Sequence, residues 1–239
     1  MTPADDPAFA AKVEDICTLY QEAPQLAQAN QRVVSTDELT GVQAVERLHP
    51  GLPMVVGKVE RREFEYIRHG TSSFILSRDV VTGQVLAPYA APTRTEADFL
   101  AHLQAVVATD PQAVQWHIIV DNLDTHRSES LVRWVAAESD MTMDLGIKGK
   151  TGVLHNRQSR AAFLSDPTHR IVFHYTPKHC SWLNQIEIWL SILVRKLLKR
   201  GNFTSVDDLQ TKVHAFIAYY NRTMAKPFKW TYQGKPLMG

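Results

Sequence analysis

At 239 residues with 44% hydrophobic content, the chain can bury a full core as one large domain or as one domain with an appendage. A formal charge of +1 excludes a globally basic nucleic-acid binder, so any basic surface must be local. Two cysteines, Cys17 and Cys180, are too few for a disulfide framework and suit a reducing compartment; no apolar run reaches the roughly 18 residues of a membrane span, and "MTPADDPAFAAK" lacks the basic and apolar regions of a signal peptide.

Residues 6–28 carry a weak helical pattern (Phe9, Val13, Ile16, Cys17, Tyr20) expected to end near Pro24. "QRVVSTDEL" is a short β-branched strand with acids at its end, and "KVERREFEYIRHG" alternates charged and apolar residues as a half-buried antiparallel strand does. "TSSFILSRDVVTGQVLAPYA" is a hairpin with Thr82-Gly83 near its turn. "TRTEADFLAHLQAVVATDP" is a helix capped by Thr93 or Thr95, with Pro111 beyond its end. "VQWHIIVDN" is a continuous apolar run closed by Asp121, the pattern of a strand buried on both faces. "SESLVRWVAAES" is a helix capped by Ser128. Residues 140–170 lose periodicity and form an expected insertion. "RIVFHYTP" is another buried strand, a long helix starts at Ser181, and "SVDDLQTKVHAFIAYYNR" is a last amphipathic helix.

The expected order is β-β-β-α-β-α, an insertion, then β-α-α. Antiparallel strands followed by βαβ crossovers predict an α/β fold with a mixed five-stranded sheet and helices on both faces, the ribonuclease H-like arrangement. The expected division is an N-terminal helical arm or linker over residues 1–30 and one domain over 31–239.

One acid stands out. In "SWLNQIEIWLSILVRKLLKR", Glu187 shares a helix face with Leu183, Asn184, Leu190, Ser191 and Val194, with no Lys or Arg at those offsets. A carboxylate taken from water needs a partner or a metal. In the expected fold it meets Asp37 from the first strand and Asp121 from the tip of the fourth. Carboxylate oxygens suit a hard cation such as Mg²⁺, with Mn²⁺ as a substitute. A pair of such ions serves in-line phosphodiester displacement. Glu38 competes with Asp37, and a turn or cap role remains open for both.

Other residues have two readings each. Asn122 and His126 either touch a phosphate or a metal-bound water, or serve local capping. Asn184, one turn before Glu187, either orients that carboxylate or starts the helix, and Ser181 is a natural N-cap. Arg195, Lys196, Lys199 and Arg200 either contact DNA backbone or complement a helix C-terminus. Lys148, Lys150, Arg157 and Arg160 suit a loop over phosphates or a solvated insertion. His174, His179 and Cys180 lack the second ligand pair of a zinc site. Trp182, Trp189 and Trp230 are assigned to the core.

"IIVDNLDTHRS", "HYTPKHCSWLNQIEIWLSIL" and "YYNRTMAKPFKWTYQGKP" closely resemble the catalytic domain of DDE transposases of the insertion-sequence 630 group, relatives of the mariner elements. The resemblance runs from about residue 30 to the C-terminus. It implies Asp37, Asp121 and Glu187 as the metal-binding acids. It also implies Mg²⁺-dependent cleavage at transposon ends, strand transfer into target DNA at a TA dinucleotide, a homodimer in the synaptic complex and a bacterial cytoplasmic setting near the nucleoid. Two departures stand out. The Asp121–Glu187 stretch is roughly twice the mariner spacing, the surplus matching residues 140–170. The N-terminal helix-turn-helix domains usual in the family have no place here, so they are expected to be missing or encoded separately. Two other readings are an inactive DNA-binding remnant and another metal-dependent nuclease of the same fold. A haloacid-dehalogenase-like phosphatase is excluded, because "DNLDT" spaces its aspartates at i and i+3 where that family needs i and i+2.

Overall fold

The computed structural model describes residues 8–61 and 63–232. Five strands form one sheet in the order β3-β2-β1-β4-β5, where β1 is Gln31–Arg47, β2 Tyr66–Asp79, β3 Val85–Ala91, β4 Gln115–Val120 and β5 Ile171–Tyr175. β2 runs antiparallel to β1 and β3; β4 runs parallel to both β1 and β5. This is the mixed ribonuclease H-like sheet that the sequence predicts.

Helices cover both faces, and the alternation of side chains along a strand divides the core between them. Val34, Ile118 and Phe173 pack under α2 (Glu96–Val107), α3 (Glu129–Glu138) and α4 (Arg157–Leu164). Their neighbours Val33 and Ile119 pack under α1 (Phe9–Gln28) on the opposite face. On that second face α5 (Gln185–Leu193) and α6 (Val206–Thr223) cover Phe74, Leu76 and Val85. β4 is therefore buried on both faces, which explains its uninterrupted apolar run.

Local signals act largely as expected. Thr95 and Asp98 form a reciprocal capping box on α2, and Ser128 caps α3 by accepting from Leu131 N at 3.3 Å. Gly83 closes the β2–β3 turn at φ +75°, where a Cβ would lie 2.2 Å from the Lys226 carbonyl oxygen. That turn needs glycine for its backbone and for the close approach of the C-terminal segment. Among the described residues no helix is long and apolar enough to cross a membrane.

Several elements differ from the sequence reading. Among the described residues of 58–65 no strand forms; those described between 48 and 65 hold the isolated bridges Leu52–Arg61 and Val55–Lys58, and Met54, Val56 and Phe64 are exposed. Its charged–apolar alternation has no sheet face to bury, while β1 extends to Arg47 and pairs with β2 instead. Helix α1 passes through Pro24 to Gln28, because Tyr20, Ala23 and Leu26 pack on the sheet and hold the helix together beyond the missing N–H. Within 140–170, α4 is a capped helix with an Asn156–Ser159 box, and Leu154 and Leu164 are buried in the core. The segment after β5 opens with a short 3-10 turn (Ser181–Leu183) before α5, and Val194–Leu198 widens into a π-turn. Ser181 does not cap α5. Trp189 is core, whereas Trp182 is 50% exposed and Trp230 half-buried.

Candidate active site

The parallel register between β1 and β4 pairs Ser35 with Ile119. Two residues further on stand Asp37, within β1, and Asp121, just past the end of β4, so the parallel pairing brings these acids to the same end of the sheet. Glu187 joins from the first turn of α5, and the electrostatics links all three: Asp37 feels both Asp121 and Glu187, and Glu187 feels Asp121.

The first turn of α5 is fastened to β1 by an unusual capping arrangement. Asn184 occupies the N-cap but makes no cap bond with its side chain. The helix amides are satisfied from other elements: Ile186 N donates to Ser35 Oγ at 2.8 Å and Gln185 N to the Tyr20 hydroxyl at 3.1 Å, while that hydroxyl donates to the Leu183 carbonyl at 2.8 Å. The freed Asn184 side chain accepts from the Ser35 hydroxyl and donates to the Thr36 carbonyl at 2.9 Å and to Asp37 Oδ2 at 3.3 Å. The strand carrying Asp37 and the helix carrying Glu187 thus share one buried network. Asn184 reaches Asp37 with its side chain; Glu187 N donates to the Asn184 carbonyl at 3.0 Å.

The charges divide unevenly. His126 is fully buried and stacks on Phe99 with ring centroids 4.2 Å apart. Its Nδ1 meets Asp121 Oδ1 at 2.8 Å and its Nε2 lies 3.5 Å from Glu38 Oε1. Burial alone would lower its pKa, yet the two carboxylates outweigh burial and push it up to about 9. Burial likewise acts to raise Asp121, but His126 and Leu123 N hold it below the usual carboxylate range. Glu38 is depressed in the same way, its burial outweighed by His126 and by Arg94 at 2.7 Å. Asp37 lies at the other extreme. Burial, then the charges of Asp121 and Glu187, push it up to about 7 against the donation from Glu38 N. Burial and Asp121 raise Glu187 as well. The neighbours Asp37 and Glu38 therefore differ: Glu38 is neutralised by cations, and Asp37 is left with like charges.

That residue of negative charge, presented through oxygen atoms alone, fits a hard divalent cation. Among the described residues no three His, Cys, Asp or Glu side chains are gathered as a ready-made metal cage. Mg²⁺ does not require one, since it is commonly held by one or two carboxylates with water and phosphate completing the shell.

The family model of the DDE superfamily endonucleases matches residues 32–210. The chain belongs to this family. Its fold is similar to that of the Mos1 mariner paired-end complex with Mn, with a TM-score of 0.53 at 11% identity over 90% of this chain and 56% of that one. It is also similar to the Mos1 transposase paired-end complex with the left transposon end, with a TM-score of 0.50 at 10% identity over 89% and 55%. This endonuclease chain spans little more than half the length of those chains. No curated protein sequence matches it.

The other sequence-selected residues are placed as follows. Asn122 is engaged by the Thr176 carbonyl and by Arg127, so its amide braces the loop after β4. Arg195 lines a groove with Glu38, Leu39 and Glu187, whereas Arg200 lies in a separate depression with Arg47 and Leu52. Lys196 and Lys199 are exposed on the π-turn and after it. Arg157 pairs with Asp124 at 2.8 Å and Arg160 donates to the Arg127 carbonyl at 2.6 Å, so these two bind the protein itself. Lys148 approaches Glu129 at 3.9 Å, and Lys150 is exposed. His174 contacts His117 and Asp15 and Cys180 is buried beside Cys17, so the tentative zinc trio is not assembled. Sequence reasoning missed Ser35, Tyr20 and Arg94. Ser35 alone left a signal: it stands two residues before Asp37, on the same strand face.

Proposed function

We propose that this chain is the catalytic domain of a transposase of the insertion-sequence 630 group, cleaving DNA strands at transposon ends and joining them to target DNA. The observation that carries the reading is the convergence of Asp37, Asp121 and Glu187 from β1, the end of β4 and α5, with the charge of Asp37 and Glu187 left uncompensated. Those three acids would hold Mg²⁺, which when bound supplies Lewis-acid activation of the attacking oxygen and charge stabilisation of the leaving one. Asp121 is kept ionised by His126, so it remains an acceptor at neutral pH. Asn184 keeps Asp37 at a fixed distance from α5, and the buried His126 and Glu38 side chains, with Arg94 reaching in from the surface, back the site beside Asp121. Arg195, on the groove beside Glu187, is placed to meet a phosphate of the same strand. DNA is the substrate in this reading, and the similarity to paired-end complexes supports a dimer that brings two ends together.

The test is nicking of a supercoiled plasmid by the purified chain with and without Mg²⁺. Metal-dependent nicking that disappears in both Asp121→Asn and Glu187→Gln, with circular dichroism unchanged, is the expected result. Normal nicking by Glu187→Gln would remove that residue from the site. A terminal-repeat duplex should bind no more than about a hundredfold better than a scrambled one, a difference of roughly 2.7 kcal/mol.

A further inference from the structure

The loop that joins β5 to α5 leaves a feature that the acid site does not use. Asp121, Asn122, Thr176, Lys178, His179 and Ser181 line a cleft of about 340 Å³. That volume lies at the small end of ligand clefts, too narrow for a duplex but suited to one unpaired nucleotide. Asp121 forms part of the wall, so whatever occupies the cleft lies against one of the three acids. On its rim Lys178 and His179 are both exposed, and neither has an ion-pair partner among the described residues. His179 is held at φ +60°, a left-handed conformation uncommon for a side chain of this size, so the local fold fixes the rim at some strain. Three residues further on, Trp182 is half exposed, and the Tyr232 ring meets it edge-on at 5.1 Å between centroids. A tryptophan in a sequence motif this apolar is expected inside, where Trp189 one helical turn-pair later does lie. Trp182 directly follows Ser181 of the cleft wall, and its exposure four residues from the exposed Lys178 is the combination that single-stranded nucleic acid uses: charge for the phosphate and an aromatic surface for the base.

We infer that the 177–182 loop is a single-strand cradle, in which Lys178 holds a backbone phosphate and Trp182 stacks an unpaired base next to Asp121. It would guide the strand that has been freed from its complement, and it reads no sequence because every base presents a π-face. The inference rests on the nucleic-acid reading of the site, and the measurement separates the two. Binding of a labelled oligothymidylate is followed by anisotropy in EDTA, so that catalysis and metal play no part, with quenching of tryptophan emission as a second signal. Trp182→Ala should weaken binding at least about fivefold, the low end of base–aromatic stacking, and Trp182→Phe should recover most of it. Lys178→Ala should weaken binding and make the slope of log affinity against log salt shallower by about 0.7. If the wild-type chain binds the oligonucleotide and these variants bind it equally well, the cradle is wrong while the nucleic-acid reading stands. If the wild-type chain binds no oligonucleotide or duplex, both are wrong.

Discussion

The two halves of the acid site are built on opposite electrical principles. On the side of α2 and the loop after β4, Asp121 and Glu38 are neutralised by His126 and Arg94, and Glu38 is 1% exposed without an uncompensated charge. On the side of α5, Asp37 is nearly as buried, yet burial and the charges of Asp121 and Glu187 outweigh what the Glu38 amide and the more distant His126 offer it, and its direct side-chain partner, Asn184, is neutral. The first half is a charge-balanced ion-pair network supplied by the chain, although Glu38 Oε1 and His126 Nε2 face each other at 3.5 Å without a hydrogen bond. The second is held in place by a neutral hydrogen-bond clamp and keeps its excess charge. A structure that needed only stability would have no use for the second half, and that is the reason to assign it a function.

Breaking the finished half should cost the most. His126→Ala removes the imidazolium from between two carboxylates and leaves Glu38 buried with Arg94 alone, which we expect to destabilise the fold by about 3–5 kcal/mol in urea denaturation. A loss under about 1 kcal/mol would mean that the network is not the closed unit described. Next comes the clamp. Ser35→Ala leaves the Ile186 amide and the Asn184 side-chain oxygen without their partner, for an expected cost of about 1–3 kcal/mol, and hydrogen exchange should quicken at Ile186 before the rest of α5. Uniform loss of protection across α5 would point to general loosening instead.

The unfinished half predicts the opposite sign. Asp37 has a folded pKa of about 7, above its ordinary value, so its ionisation opposes folding as pH rises between about 4 and 7. Asp37→Asn should therefore be more stable than the wild type above pH 7 without metal, and the gain should shrink as pH falls towards 4. A variant less stable at pH 8 would show that the carboxylate is compensated after all. His102 and His117 behave differently: burial holds both near 4, so the fold carries them neutral while the unfolded chain protonates them near 6.5. Their contribution to stability is present above about 6.5 and is lost as pH falls through 4, which a comparison of His117→Gln with the wild type at pH 7.5 and pH 5 reads directly. The smallest effect belongs to Arg157→Ala, whose pair with Asp124 is largely exposed; it should change stability by no more than about 0.5 kcal/mol.

How far the sequence could carry this account differs from residue to residue. The apolar run of β4 and the capping signals of α2 and α3 were legible because burial and capping are written locally, one period or one turn at a time. The 58–65 segment misled because alternation records a pattern and not whether a sheet exists to bury it. Glu187 was legible as an acid with no cation on its helix face. His126 was not resolvable, because its role depends on Glu38, far along the chain, facing it across the sheet edge. The capping of α5 from Tyr20 and Ser35 left almost no trace, since a hydroxyl on another element can replace a local N-cap without any spacing rule. The same limit hid the exposure of Trp182, which depends on how the loop leaves β5.

The claim that the α5 half is completed by a cation is tested most directly by thermal unfolding at pH 8 with increasing Mg²⁺. The account predicts a saturable rise in Tm for the wild type, as expected for a ligand that binds only the folded state, and little or none for Asp37→Asn or Glu187→Gln, with His126→Phe still responding from its lower baseline. An equal rise in the wild type and Asp37→Asn would contradict it.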